Sequence, residues 1–514
     1  MSRVSKGADP SGMALRGGSA DRHGARPVFL YSSFVYHVLK FKCVEASLSK
    51  ILVLGHAPLP WEDLAKSYGP GTRTWQFALP LLQDGHDVTV LASRIPFVYP
   101  ENIEPVEKCE EQGCTVYRVT QPEFEVGGIT DRLMTDLDPD CVVAATAYPS
   151  YVGATYAGER PLWADVFGSY LAEAQAKAAV YSDDSFIDHF QRVNNHIISM
   201  ADRFSTVSER QACELVGQLG VNGRLNSGTL GYDFARSIPC GVVDREFPSP
   251  AYPDERLGPL DFIVLWSGGF NTWTDVRTLF EGLEFAMSER ENIHFVSTGA
   301  EIEGHNDRTY RDFERMVASS RFRERFHLLG WVKRSEALSF YGTASVGINI
   351  DAMHYEVMFG SRNRILEWAL AGLPAVSTDL CELTSELFSE GLLFAVPVAD
   401  PPALAGRLLE LERSRDKLIG VSRRLKSHVL ERYSFERTTV PLREWVRRPT
   451  RAPDFADRVG LRNEALVAAR RVFTPPITPD SPIREKLVFY LKNEGVASTL
   501  RRSAGLLGRR GAGR

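Results

Sequence analysis

The chain has 514 residues, 44% hydrophobic and 24% charged, with a formal net charge of −5 at pH 7. That length exceeds a single core of usual size and predicts two or three domains, while the slightly acidic balance gives no global electrostatic case for nucleic acid. Seven cysteines at positions 43, 109, 114, 141, 213, 240 and 381 are odd in number and unpatterned, which argues for a reducing cytoplasm and against a disulfide framework or a zinc site.

Residues 1–48 read as a disordered extension, because 1–26 are rich in Gly, Ser, Ala and Arg. The apolar stretch over 27–39 is too short to span a bilayer and lacks a small-residue cleavage site. The first strand is predicted over 51–55 (ILVLG), followed by a long loop and a helix over 72–83 that Pro80 should kink. Further strands are expected over 87–91, 141–145, 162–164 and 202–207, with helices over 170–179 and on to 219. Strand, helix, strand with short turns makes 49–245 a doubly wound parallel-sheet domain.

Five prolines between 238 and 260 mark a linker. A second alternating series then fills 255–445, with strands over 262–266, 293–296, 326–329, 346–350, the apolar run after Pro374, and 392–396. The fold class expected is α/β, two Rossmann-like domains facing a cleft, with N- and C-terminal extensions. Residues 446–514 hold proline spacers, a helix predicted over 484–492, and a basic end with Arg501, Arg502, Arg509, Arg510 and Arg514. That end reads either as a solvated tail or as a contact with an anionic membrane surface.

Five segments carry chemistry. Gly69-Pro70-Gly71-Thr72-Arg73 sits between the first strand and first helix, where small residues let backbone approach a ligand and a helix end favours an anion; a turn needing glycine for its own geometry explains it equally. Ser267-Gly268-Gly269-Phe270-Asn271-Thr272 follows the first strand of the second domain. In 358–378 (MFGSRNRILEWALAGLPAVST) a polar loop with Arg362, Asn363 and Arg364 opens a helix that carries one acid, Glu367, among apolar neighbours. A guanidinium fork suits phosphate oxygens, and a carboxylate can accept two hydrogen bonds from a vicinal diol. Asp165 ends a first-domain strand, where an acid either faces the cleft or fills a turn. Trp331 and Val332 follow Gly330 in a loop after another strand. Neither glycine loop fits the G-x-G-x-x-G fingerprint, and no nucleophile elbow, H-E-x-x-H or Walker loop occurs. His294, His305, His327 and His354 show no ligand spacing.

The 358–378 segment, with ILVLGHAPLPWED and GPGTRTWQFALPLLQDGHDVTVLAS near the start, resembles the family 4 glycosyltransferases of the two-domain GT-B fold, over roughly residues 49–445. The resemblance implies a nucleotide-sugar donor, a glycan or lipid-linked acceptor, retention of configuration and no metal cofactor; cysteine usage points to a cytoplasmic enzyme, which the basic tail could bring to the inner face of the plasma membrane. It places Glu367 on the ribose, Gly71, Gly268, Gly269 and Asn271 near the donor phosphates, Trp331 and Val332 near the base, and Asp165 by the reacting centre. Two departures stand out. The family's Arg and Lys after the second glycine loop are absent, the first basic residue being Arg277, which makes Arg362 and Arg364 their replacements. The family's first glutamate, eight positions before Glu367, is Phe359, and Glu356 is the nearest acid. An epimerase or pseudo-glycosyltransferase, or a non-catalytic nucleotide-sugar binder, stay open as alternatives.

Overall fold

The computed structural model describes residues 48–458, except 67, 68, 101, 102, 126 and 127, and isolated positions between 482 and 491. The expected N-terminal extension and nearly all of the basic tail lie outside the described residues. Among the described residues no helix is long and apolar enough to cross a membrane.

The first sheet has eight strands: β1 (Lys50–Ala57), β2 (Asp87–Arg94), β3 (Val106–Glu111), β4 (Cys114–Val119), β5 (Cys141–Ala144), β6 (Leu162–Val166), β7 (Arg203–Thr206) and β8 (Ala235–Ser237). Their order is β3-β4-β2-β1-β5-β6-β7-β8. All neighbours are parallel except the β3–β4 hairpin, whose Gln112-Gly113 turn has positive φ at both central residues, the pattern that fits the strand twist. β1 is buried from Ile51 to Gly55 because helices cover both sheet faces, so it reads as one apolar run. The helix Gly69–Gln83 follows it and runs through Pro80 without interruption.

The second sheet has six parallel strands: β9 (Phe262–Ser267), β10 (Ile293–Thr298), β11 (Phe326–Leu328), β12 (Val346–Asn349), β13 (Ala375–Thr378) and β14 (Leu393–Val396), in the order β11-β10-β9-β12-β13-β14. Two crossings join the domains and pair with each other: Val242 N–H donates to the Tyr433 carbonyl (2.7 Å), and Phe435 N–H to the Val242 carbonyl (2.9 Å). Past that point the chain returns to the first domain. Phe435, Leu442, Trp445 and Val446 share a core with Ile51, Phe77 and Trp163, and Asp454 pairs with buried Arg224 (2.9 Å). The sequence reading kept residues to 445 with the second domain, because an amphipathic pattern shows that a face is buried and not which sheet covers it.

The loops at the strand C-termini of the two sheets meet. Ser208 Oγ donates to the Phe359 carbonyl (2.5 Å), Glu382 accepts from Glu209 and Arg210 N–H (3.0 and 2.7 Å), and Lys66 pairs with Glu303 (2.8 Å).

Candidate functional site

The loop after β9 is shaped by its glycines. Gly268 has φ +85°, and a Cβ on Gly269 would collide with Ile302. Beside this loop stands Arg364, near the start of the helix Asn363–Leu370. Its guanidinium lies 4.0 Å from the centre of the Trp266 ring, and Nη2 donates to the Gly269 carbonyl (2.9 Å). Nη1 is buried without a partner, and among the described residues no carboxylate lies within ion-pair reach of Arg364. Burial lowers its pKa to about 10. Charges out of water are normally paired, so a half-buried guanidinium with an unpartnered nitrogen over a glycine loop is able to take an anion.

Glu367 follows three residues later, on the same helix face as Arg364. Arg245 from the linker grips one carboxylate oxygen, and Arg334 lies 3.4–3.5 Å from both. Burial pushes the Glu367 pKa up, but Arg334 and Arg245 outweigh it and hold the group below its ordinary value. The site therefore offers an ionised acceptor backed by two cations. Trp331 closes the far side: Nε1 donates to the Glu301 carbonyl (2.8 Å), and a Cβ on Gly269 would lie 3.3 Å from its ring. Val332 is half-buried beside it, and Asn271 forms the turn that accepts the Thr274 N–H (3.0 Å). Asn363 reaches the first domain, where a Cβ on Gly69 would lie 2.8 Å from its Nδ2.

Three expected residues are placed differently. Arg362 precedes the helix and turns away from Arg364, to Asp351 (2.6 Å) and Glu356 (3.3 Å), so its charge is already met. A Cβ on Gly71 would collide with the Pro58 carbonyl oxygen, so this glycine serves the packing of its own helix against the loop after β1. Asp165 is 0% exposed and faces no cleft. Its Oδ1 accepts from Arg73 Nη2 (2.6 Å) and Ser205 Oγ (2.6 Å), and its Oδ2 from Arg73 Nε (3.0 Å) and Thr146 N–H (3.2 Å). Both oxygens are saturated by protein donors, so none is left for a substrate hydroxyl.

Glu356 is buried at the domain interface, on the short helix Tyr355–Phe359. Burial pushes its pKa from 4.5 up to about 7; Arg362 pulls it down, while Glu173 of the first domain and Asp351 push it further up. The folded chain thus keeps this proton to higher pH than the unfolded chain, so the stability tied to Glu356 falls as pH rises from 4.5 to about 7. Glu356→Gln is expected to lose that fall: its melting temperature relative to wild type should be higher at pH 8 than at pH 5. Parallel melting curves at both pH values would show that Glu356 titrates normally.

Sequence reasoning missed Arg245, Arg334 and Trp266. The two arginines come from a linker and a different helix, and only the fold brings them to Glu367.

Residues 261–414 match the family model described as glycosyl transferases group 1. Among solved structures, the sucrose-phosphate synthase of Thermosynechococcus elongatus is similar at TM-score 0.60 and 16% identity, over 77% of this chain and 98% of that one. An E. coli trehalose-6-phosphate structure bound with UDP-2-fluoro glucose aligns at TM-score 0.56 and 9% identity, over 78% and 100%. HepE of Anabaena, in complex with UDP and glucose, aligns at TM-score 0.52 and 15% identity, over 77% and 98%. No curated protein sequence matches the chain. The structural likeness establishes the GT-B architecture of two parallel-sheet domains. The family match identifies the stretch 261–414, within the second domain, as a group 1 glycosyl transferase domain.

Proposed function

We propose that this chain moves a sugar from a nucleoside-diphosphate donor to an acceptor hydroxyl, with retention of configuration, in the assembly of a bacterial surface polysaccharide or glycolipid. The observation that carries the donor assignment is Arg364, a half-buried cation with a buried, unpartnered Nη1 and, among the described residues, no carboxylate in ion-pair reach, placed over the Gly268–Gly269 loop. A diphosphate would supply the missing anion, and Arg364 with the backbone N–H groups of that loop would stabilise it as it leaves. No metal is needed in this scheme. Glu367 would take the ribose hydroxyls, and the loop at Trp331 and Val332 the base. The acceptor is proposed to be a glycan or lipid-linked glycan, met at the inner face of the plasma membrane. The basic C-terminal sequence supports that last point.

A thermal-shift screen against UDP-, GDP-, dTDP- and CDP-sugars, with NAD and NADP as controls, tests the reading, because a ligand that binds only the folded chain raises its melting temperature. UDP-sugars are the first to try, since the HepE structure holds UDP and glucose and the E. coli structure a UDP-sugar analogue. A shift with NAD alone would overturn the proposal. Glu367→Ala is expected to weaken the response roughly 10-fold or more, because it removes the ionised acceptor at the site, with a modest fall in the unliganded melt from the loss of a partly exposed partner for Arg245 and Arg334. Wild-type affinity in that variant would remove Glu367 from the donor site.

A further inference from the structure

We propose that Asp63 is a positioning residue: it ties closure of the two domains to the donor site by holding the segment that presents Arg334 to Glu367. The inference rests on the reading of Glu367 as a donor contact.

Asp63 lies in the loop after β1, in the first domain. It reaches across to the second, where Oδ1 accepts the Ser335 N–H (2.8 Å) and Oδ2 the Ser335 hydroxyl (2.7 Å). Ser335 follows Arg334 in the helix Arg334–Phe340, and the Arg334 guanidinium lies 3.4–3.5 Å from both Glu367 oxygens. One continuous path of hydrogen bonds and chain thus runs from a first-domain loop to the acid of the donor site. The hydrogen bonds from the Ser335 N–H and hydroxyl hold the Asp63 carboxyl below its ordinary pKa, with Lys333 and Arg334 adding to them.

The place of this contact suits a closure sensor. The linker leaves from β8 at one edge of the first sheet, and β1 stands four strands in from that edge. A rotation about the paired crossings at Val242 and Tyr433 moves the Asp63 loop relative to Ser335, and of the interdomain contacts described only the one made by Asp63 bonds to the residue next to Arg334. Opening would leave the Ser335 N–H without its acceptor and let the start of the Arg334 helix relax away from Glu367. Lys66, on the same loop, makes a different contact: it pairs with Glu303 and has no bond to the Arg334 helix.

The test compares Asp63→Ala, Asp63→Asn and Lys66→Ala, using calorimetric titration of the nucleotide-sugar that binds wild type, with melting curves of each unliganded variant. Asp63→Ala is expected to weaken donor binding roughly 5- to 20-fold, in the lower part of the range for coupled sites, with an unchanged unliganded melt. Asp63→Asn should recover most of the affinity, since its amide oxygen still accepts the Ser335 N–H and its amide nitrogen can donate to the Ser335 oxygen. Lys66→Ala should stay near wild type. Wild-type affinity in Asp63→Ala would overturn the proposal, as would an equal loss in Lys66→Ala, which would mean that any interdomain contact serves. If wild type binds no sugar nucleotide at all, it is the donor-site reading that has failed, and the role of Asp63 falls with it.

Discussion

Replacing Arg364 by methionine is expected to remove measurable donor binding and to leave the unliganded protein as stable as wild type, or more so. The two effects have one cause. The guanidinium is half-buried over Trp266 with one hydrogen bond to a carbonyl and one buried nitrogen unpartnered, so the unliganded protein carries part of its desolvation with only the charge of Asp351, beyond ion-pair reach, to offset it. Methionine is apolar, flexible and fills similar volume, so its cost is about one hydrogen bond, ~1 kcal/mol, set against that relief. With a diphosphate present the balance reverses. A buried charge-assisted contact is worth ~2–4 kcal/mol, or roughly 30- to 1,000-fold in Kd. Arg364→Lys should fall between, because an ammonium keeps the charge and loses the planar fork. Calorimetric titration and melting curves of the three proteins check this. Donor binding in Arg364→Met at wild-type strength would mean that the diphosphate lies elsewhere.

The parts of the site that were legible in the sequence are local in it. Gly268, Gly269, Arg364 and Glu367 stand in two short loop-to-element segments, each readable from glycine geometry and helical spacing. Both arginines at the helix opening could not serve one ligand: residues two apart at a helix start point to different sides, and Arg362 does turn to Asp351 and Glu356. Which of the two serves the loop is settled by Asp351 and Glu356, which only the fold brings to Arg362. Arg245 and Arg334 are separated from Glu367 by 122 and 33 residues, and no periodicity announces such a pairing. The same contrast holds for the fold. Strands covered on both faces, such as β1 and β9, show as unbroken apolar runs. The β3 strand, VEKCEE, lies at the sheet edge with no residue fully buried, so it carries a polar sequence that reads as loop. The crossing back after Tyr433 is likewise invisible, because Leu442 and Trp445 would look the same against either sheet.

The largest loss of stability is expected from Asp165→Asn, and the reason is the saturation that removes Asp165 from the cleft. Its partner Arg73 is 1% exposed and donates through two nitrogens. Asparagine keeps one acceptor oxygen and turns an NH2 group toward a donor, which leaves the Arg73 charge buried and unmatched. Breaking a buried pair in this way costs ~3–5 kcal/mol, a large share of the stability of an ordinary domain. The Thr146 backbone, at φ +77°, also loses the acceptor of its N–H, and a non-glycine residue holds such a conformation only while its surroundings enforce it. Any fall in turnover would then follow from a fall in folded protein. A second substitution separates structure from chemistry. Adding Arg73→Met to Asp165→Asn removes the orphaned cation and should recover much of the loss, a non-additivity expected only of groups in contact. Urea unfolding of the wild type, both single variants and the double variant measures that coupling. If Asp165→Asn instead unfolds like wild type, binds donor and fails only in turnover, then Asp165 acts in the reaction, and the ion pair with Arg73 is not what holds this end of β6 together.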